Sequence, residues 1–170
     1  LVVAANGRWL LFTRLGTSHA SDPARIMLRT SADEGRTWSS RRELWRDPDG
    51  WSAHNPVAVV APDGTILLWC SRYEFQRNLR HHGVLARSTD HGETWSAFAP
   101  FDDSTARTCY YVTDAIRDGD DLLAVAACFQ PPGREPCWDQ VFRSADGGRT
   151  WSDLGSLTPP AANLGDEVGL

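Results

Sequence analysis

The chain writes one eight-residue phrase three times: "SADEGRTW" at 31–38, "STDHGETW" at 88–95 and "SADGGRTW" at 144–151. Its aspartates fall at Asp33, Asp90 and Asp146, 57 and then 56 residues apart. A second word keeps step, with "ANG" ending at Gly7, "PDG" at Gly64 and "RDG" at Gly119, spaced by 57 and 55. Two unrelated words on one period mean a single structural unit repeated, which confines the fold to repeat architectures.

Between these markers, β-branched and aromatic residues come in runs of four to eight, the pattern of short strands. The second unit reads as "PVAVVA", a turn at "PDGT", "ILLWCSR", a polar loop, "HGVLARS", the repeated phrase, and a last strand near "FAPF". The third reads as "VTDAI", "RDGD", "DLLAVAACF", a loop, "DQVFRS", the phrase, and "LGSL". Gly or Pro interrupts the apolar runs too often for helices. Each unit is therefore a four-stranded antiparallel meander, and such units repeating every 50 to 60 residues predict an all-β fold, a β-propeller. The units are expected at about 1–50, 51–105 and 106–160, with 161–170 opening a fourth. A propeller closes with about four to eight blades, so three units are expected to make about half of a ring, the remaining blades lying outside this sequence.

Meander topology sorts the loops. The turn after the first strand and the repeated phrase after the third share one rim, and the other connections share the opposite rim. That second rim is expected to carry the long polar and aromatic segments 13–25, 47–55, 71–82, 102–111, 130–139 and 162–167. Sites are built on variable loops over a rigid scaffold. An acid repeated three times in a tight turn on the other rim reads as scaffold: Asp accepts hydrogen bonds from turn amides, and the Trp has a face to bury between sheets.

Composition removes several function classes. A formal charge of -5 provides no basic stripe to neutralise phosphates, which argues against a nucleic-acid partner. No apolar run reaches the roughly 20 residues needed to span a bilayer. The opening "LVVAANGRWLLF" is too short and too polar at its centre for a signal peptide. Cys70, Cys109, Cys128 and Cys137 fit no zinc spacing, so no metal site is expected. Cys128 and Cys137 flank one loop and read either as a disulfide across neighbouring strands or as two buried thiols.

The phrase Ser-x-Asp-x-Gly-x-Thr-Trp resembles the Asp-box of the sialidase (neuraminidase) superfamily and other Asp-box propellers, with every defining position present three times. The resemblance extends in part to the material between boxes. "LVVAANGRWLLFTR" is similar to the segment after the family's Arg-Ile-Pro word, which places the first of its carboxylate-binding arginines just before Leu1. The resemblance puts a further active-site arginine at Arg14 and the acid/base aspartate at Asp22. "HNPVAVV" resembles a segment that brings His54 and Asn55 to the site. "AACF" resembles one that supplies an aromatic wall, Phe129, and "DEVGL" resembles the one carrying the glutamate that partners a nucleophilic tyrosine, Glu167. That tyrosine and two more arginines belong to later blades.

The implied activity is that of a retaining exo-sialidase, with a sialylated or related glycan as partner, no cofactor, and a secreted or periplasmic setting. The chemistry explains the parts. A sialic acid carries a carboxylate on its anomeric carbon, which repels an anionic nucleophile but not a tyrosine that a glutamate deprotonates. An aspartic acid can protonate the leaving oxygen and later activate water, and arginines grip the substrate carboxylate with paired hydrogen bonds. Each residue also has a plainer reading. Asp22 can start a turn before Pro23, Arg14 can pair with Asp22 on the surface, His54 can cap a strand end, Phe129 can belong to the core and Glu167 can be a solvated loop acid. Two other functions stay open: a glycosidase for a neutral glycan, with a carboxylate pair drawn from Asp22, Glu74 and Glu167, and a non-catalytic propeller that binds a glycan or protein.

Overall fold

The computed structural model describes residues 1–18, 23–101, 107–129 and 137–157, and among them there is no helix. Twelve strands form three four-stranded antiparallel sheets, each a meander in chain order. The first sheet is β1 (Val2–Val3), β2 (Trp9–Leu15), β3 (Arg25–Ser31) and β4 (Arg42–Arg46). The second is β5 (Ser52–Val60), β6 (Ile66–Glu74), β7 (Leu79–Ser88) and β8 (Ala99–Pro100). The third is β9 (Thr108–Asp118), β10 (Asp121–Phe129), β11 (Cys137–Ser144) and β12 (Ser152–Ser156).

Alternation along the second strand of each sheet explains how the sheets stack, because successive side chains leave opposite faces. Leu10 and Phe12 meet Ile66, Leu68 and Cys70 in one apolar layer. Leu67 and Trp69 point the other way and meet Leu122, Ala124, Ala126 and Cys128 in the next. The middle sheet is thus buried on both faces, so β6 opens as a continuous apolar run. First strands sit side by side, β1 against β5 and β5 against β9, and β4, β8 and β12 do not touch one another. The sheets fan outward from their first strands, the arrangement of three propeller blades.

The repeated phrase is the fastener between blades. In the second copy Ser88 Oγ donates to Asp90 Oδ1 at 2.8 Å, the Thr94 hydroxyl donates to Asp90 Oδ2 at 2.5 Å, and Gly92 N donates to Ser88 Oγ at 2.8 Å. The first and third copies repeat these bonds around Asp33 and Asp146. Gly92 has φ +87 and lies so close to Leu10 of the preceding blade that a Cβ would collide with Leu10 Cδ2; Gly148, φ +85, stands in the same relation to Leu67. The box tryptophans complete the lock edge-on, Trp95 against Phe12 and Trp151 against Trp69, both at 5.7 Å between centroids.

The strands run further toward the far rim than the apolar pattern predicts. β5 begins at Ser52 rather than Pro56, and β9 at Thr108 rather than Val112. The segment 71–82, read from the sequence as a loop, is chiefly a hairpin: β6 pairs with β7 through Arg72–His81, Tyr73–Arg80 and Glu74–Leu79. Cys128 and Cys137 do not face each other. Cys128 pairs with Trp138 and Cys137 with Phe129, on alternate faces of the sheet. The expected fourth unit at 161–170 lies outside the described residues.

Candidate functional site

Turn contacts confirm the division of rims. Arg8 beside the first "ANG" turn pairs with Glu93 of the second box, and Asp63 of the "PDG" turn pairs with Arg149 of the third at 3.4 Å. The boxes and first turns therefore share one rim, away from the ends of β2, β6 and β10. The box carboxylates are held low there. Hydrogen bonds from Thr37 and Ser31 bring Asp33 to about 2, those from Thr94 and Ser88 bring Asp90 to about 2, and those from Thr150 and Ser144 lower Asp146 likewise. Carboxylates fixed in the ionised form with their oxygens engaged cannot serve as a general acid at neutral pH. They are scaffold.

The opposite rim collects the four described candidates at strand ends. Arg14 lies one residue before the end of β2; its Nη1 donates to the Ser18 carbonyl at 2.9 Å, and its guanidinium lies over Gly16, where a Cβ would meet Nη2 at 2.9 Å. His54 is buried on β5, sharing a 2.7 Å hydrogen bond between Nε2 and Ser52 Oγ, with its ring 5.5 Å from Phe75. Asn55 is exposed in the left-handed region at φ +45. Phe129 closes β10 and is only 4% exposed. Asp22 and Glu167 lie outside the described residues.

Two of the three inner strands, β5 and β9, break register at this rim. On β5 the pairing to β6 jumps from His54–Ser71 to Val57–Trp69, so Asn55 and Pro56 together face one residue. On β9 it jumps from Val112–Ala126 to Asp114–Val125, bulging Thr113, and again between Tyr111 and Cys109, bulging Tyr110. Bulges re-aim side chains and concentrate beside active sites. His54 and Tyr111 hold equivalent positions in successive blades, three residues before regular pairing resumes at Val57 and Asp114. Gly83 admits the neighbouring strand: a Cβ there would meet the Tyr110 carbonyl oxygen at 2.6 Å.

Around these strand ends the structure adds Asp47, Asp49, Trp51, Arg72 and His81, which sequence patterning did not select, to Glu74, Tyr73 and Tyr110, which it did. Asp47 is buried and pairs with Arg72 Nε at 2.5 Å, and Arg72 Nη2 reaches Asp49 at 2.8 Å. The Arg72 guanidinium lies 4.7 Å from the Trp51 ring, which stacks on His81 at 3.5 Å. Burial pushes His81 below the ordinary imidazole value against the opposing pull of Glu74, whose Oε2 is 3.4 Å away. Tyr73 meets Phe75 and Tyr110, and Arg80 lies over Tyr110. Burial pushes the Tyr110 phenol up to about 12, so it packs as a neutral ring. Burial also raises the carboxyl of Asp139 on β11. The alternation of Arg72 and Glu74 with Tyr73 and Phe75 is the signal that this segment is strand, but Asp47 and Asp49, which hold Arg72, and Tyr110, which meets Tyr73, come from neighbouring repeats. Among the described residues no cluster of His, Cys, Asp and Glu is placed to hold a metal ion, and no helix is long and apolar enough to cross a membrane.

A family model described as a BNR repeat-like domain matches residues 1–165. The chain belongs to that family. Solved structures sharing the BNR-type fold include a protein of unknown function from Dyadobacter fermentans, 21% identical with a TM-score of 0.70, covering 90% of this chain and 52% of that one. A Penicillium chrysogenum alpha-L-arabinanase complexed with arabinobiose is 18% identical with a TM-score of 0.63, covering 94% and 49%. The Hadza microbial sialidase Hz136 is 25% identical with a TM-score of 0.57, covering 87% and 30%. The chain thus spans about half or less of these structures. No curated protein matches it. The BNR repeat and the three blades place the fold among propellers that carry glycoside hydrolases.

Proposed function

We propose that this chain forms the first half of the active-site face of a glycoside hydrolase, a retaining exo-glycosidase that releases terminal sialic acid or a related 2-keto acid sugar from glycoconjugates. The reading rests chiefly on the paired register breaks of β5 and β9, which set His54, Asn55 and Tyr111 at one rim, away from the boxes. Asn55 sits inside the β5 break in the left-handed region, a backbone that Asn adopts more readily than most residues. In this mechanism Asp22 protonates the leaving oxygen and then activates water. Glu167 deprotonates a tyrosine supplied by a later blade. Arg14 faces the substrate carboxylate, His54 and Asn55 shape the pocket, and Phe129 packs behind them. The remaining blades of a six-bladed ring complete the site.

The test is turnover of a fluorogenic sialoside by the full-length protein and by its Asp22→Asn variant. Loss of general acid/base catalysis lowers kcat/KM by about 100-fold or more; undiminished turnover removes Asp22 from the mechanism. A second reading, a hydrolase of a neutral glycan, draws support from the likeness to the arabinanase. Hydrolysis of arabinan without turnover of sialosides would select it.

A further inference from the structure

Cys109 on β9 and Cys128 on β10 are directly opposed partners, and their Sγ atoms stand 2.7 Å apart. Both are sealed in the apolar layer between the second and third blades, 2% and 0% exposed. Opposed residues of an antiparallel pair have Cα atoms about 4.5–5.5 Å apart, inside the window of about 4.4–6.8 Å that a disulfide spans. No strand has to move for these sulfurs to bond. We propose that Cys109 and Cys128 form a cross-strand disulfide.

The bond forms by exchange with a small-molecule disulfide such as oxidised glutathione. One cysteine thiolate attacks a glutathione sulfur, breaking its S–S bond, releasing one glutathione thiolate and leaving a mixed disulfide on the protein. The second cysteine thiolate attacks the protein sulfur of that mixed disulfide and releases the second glutathione. Two cysteines are oxidised, one glutathione disulfide is reduced to two thiols, and the two cysteine protons end on them. Because both sulfurs are closed off once the blades dock, exchange belongs to folding, and the folded bond is shielded from reductants.

The position gives the link its purpose. Tyr110 is the bulged residue between the Cys109–Cys128 and Tyr111–Ala127 pairs, and Phe129 follows directly. A covalent tie there fixes the bulge and with it the rim end of the third blade. Cys137 leaves the opposite face of the sheet and does not compete.

The full chain is refolded from the reduced, denatured state in a glutathione redox buffer, blocked with an alkylating agent and digested without reduction. The expected result is one linked peptide pair joining Cys109 to Cys128, lighter than the two reduced peptides by two hydrogens. Reduction is expected to lower Tm by about 5–10 °C, given the loop the bond closes. Cys137→Ser keeps the link, and Cys109→Ser and Cys128→Ser abolish it. The Cys137→Ser variant and the unaltered chain keep the test decisive should the other two fail to fold. Alkylation of all four cysteines after oxidative refolding, or a link from Cys128 to Cys137, overturns the proposal.

Discussion

Asp90 shows at the residue scale how an acid can look catalytic in the sequence and be fixed by its neighbours. Ser88 and Thr94 occupy its two oxygens, and its pKa falls from 3.8 to about 2. A carboxyl whose pKa is depressed by folding stabilises the fold above the unfolded value, and that contribution disappears as pH falls through the folded value. The box contribution is therefore complete above about pH 4 and is lost toward pH 2. Carbon-detected titration of the aspartate side chains should find Asp33 and Asp90 still ionised at pH 3. Thr94→Val, which removes the shortest of these bonds, should shift Asp90 upward and raise the pH of acid unfolding. The sequence identified this scaffold role because every determinant lies within eight residues. Cys128 shows the converse. Its partner, Cys109, depends on a strand register that includes the Tyr110 bulge, and loop proximity alone pointed to Cys137.

At the scale of elements, turns and central strands were legible, and strand ends at the far rim were not. Apolar alternation marks Ile66–Cys70 as strand, yet the same strand continues through Ser71, Arg72, Tyr73 and Glu74, where polar heads conceal the pattern. Arg72 lies over Trp51 and Tyr73 meets Tyr110, contacts that no local window contains. The box is the element whose geometry is most constrained, because Gly92 combines a left-handed backbone with contact against Leu10. Gly92→Ala should destabilise the protein by about 2 kcal/mol or more, through overpacking and backbone strain together. Urea unfolding measures the loss. Combining it with Leu10→Ala should cost less than the two single losses added, since Leu10 is the group struck.

For the whole molecule, the apolar face of the third blade that points away from the second governs behaviour. Leu123 and Val125 alternate with the buried Leu122, Ala124 and Ala126, and Ile116, opposite Leu123, is 52% exposed. A polypeptide of residues 1–170 made alone should self-associate through this face. Sedimentation should show dimers or larger species that Leu123→Lys weakens. A compact, stable monomer would count against the half-ring reading. Candidate acids at Asp22 and Glu167 came from resemblance in the loops, whereas the rim expected for them followed from meander topology.

The direction of the inter-blade fastening has one more consequence. Each box closes on the blade before it, Gly92 on Leu10 and Gly148 on Leu67, so the cover for a blade is encoded in the repeat that follows. As the chain emerges from the ribosome, every finished blade waits with one apolar face open until the next repeat has been translated. The sticky surface exposed at any moment is then a single blade face that advances along the nascent chain, whatever the final number of blades.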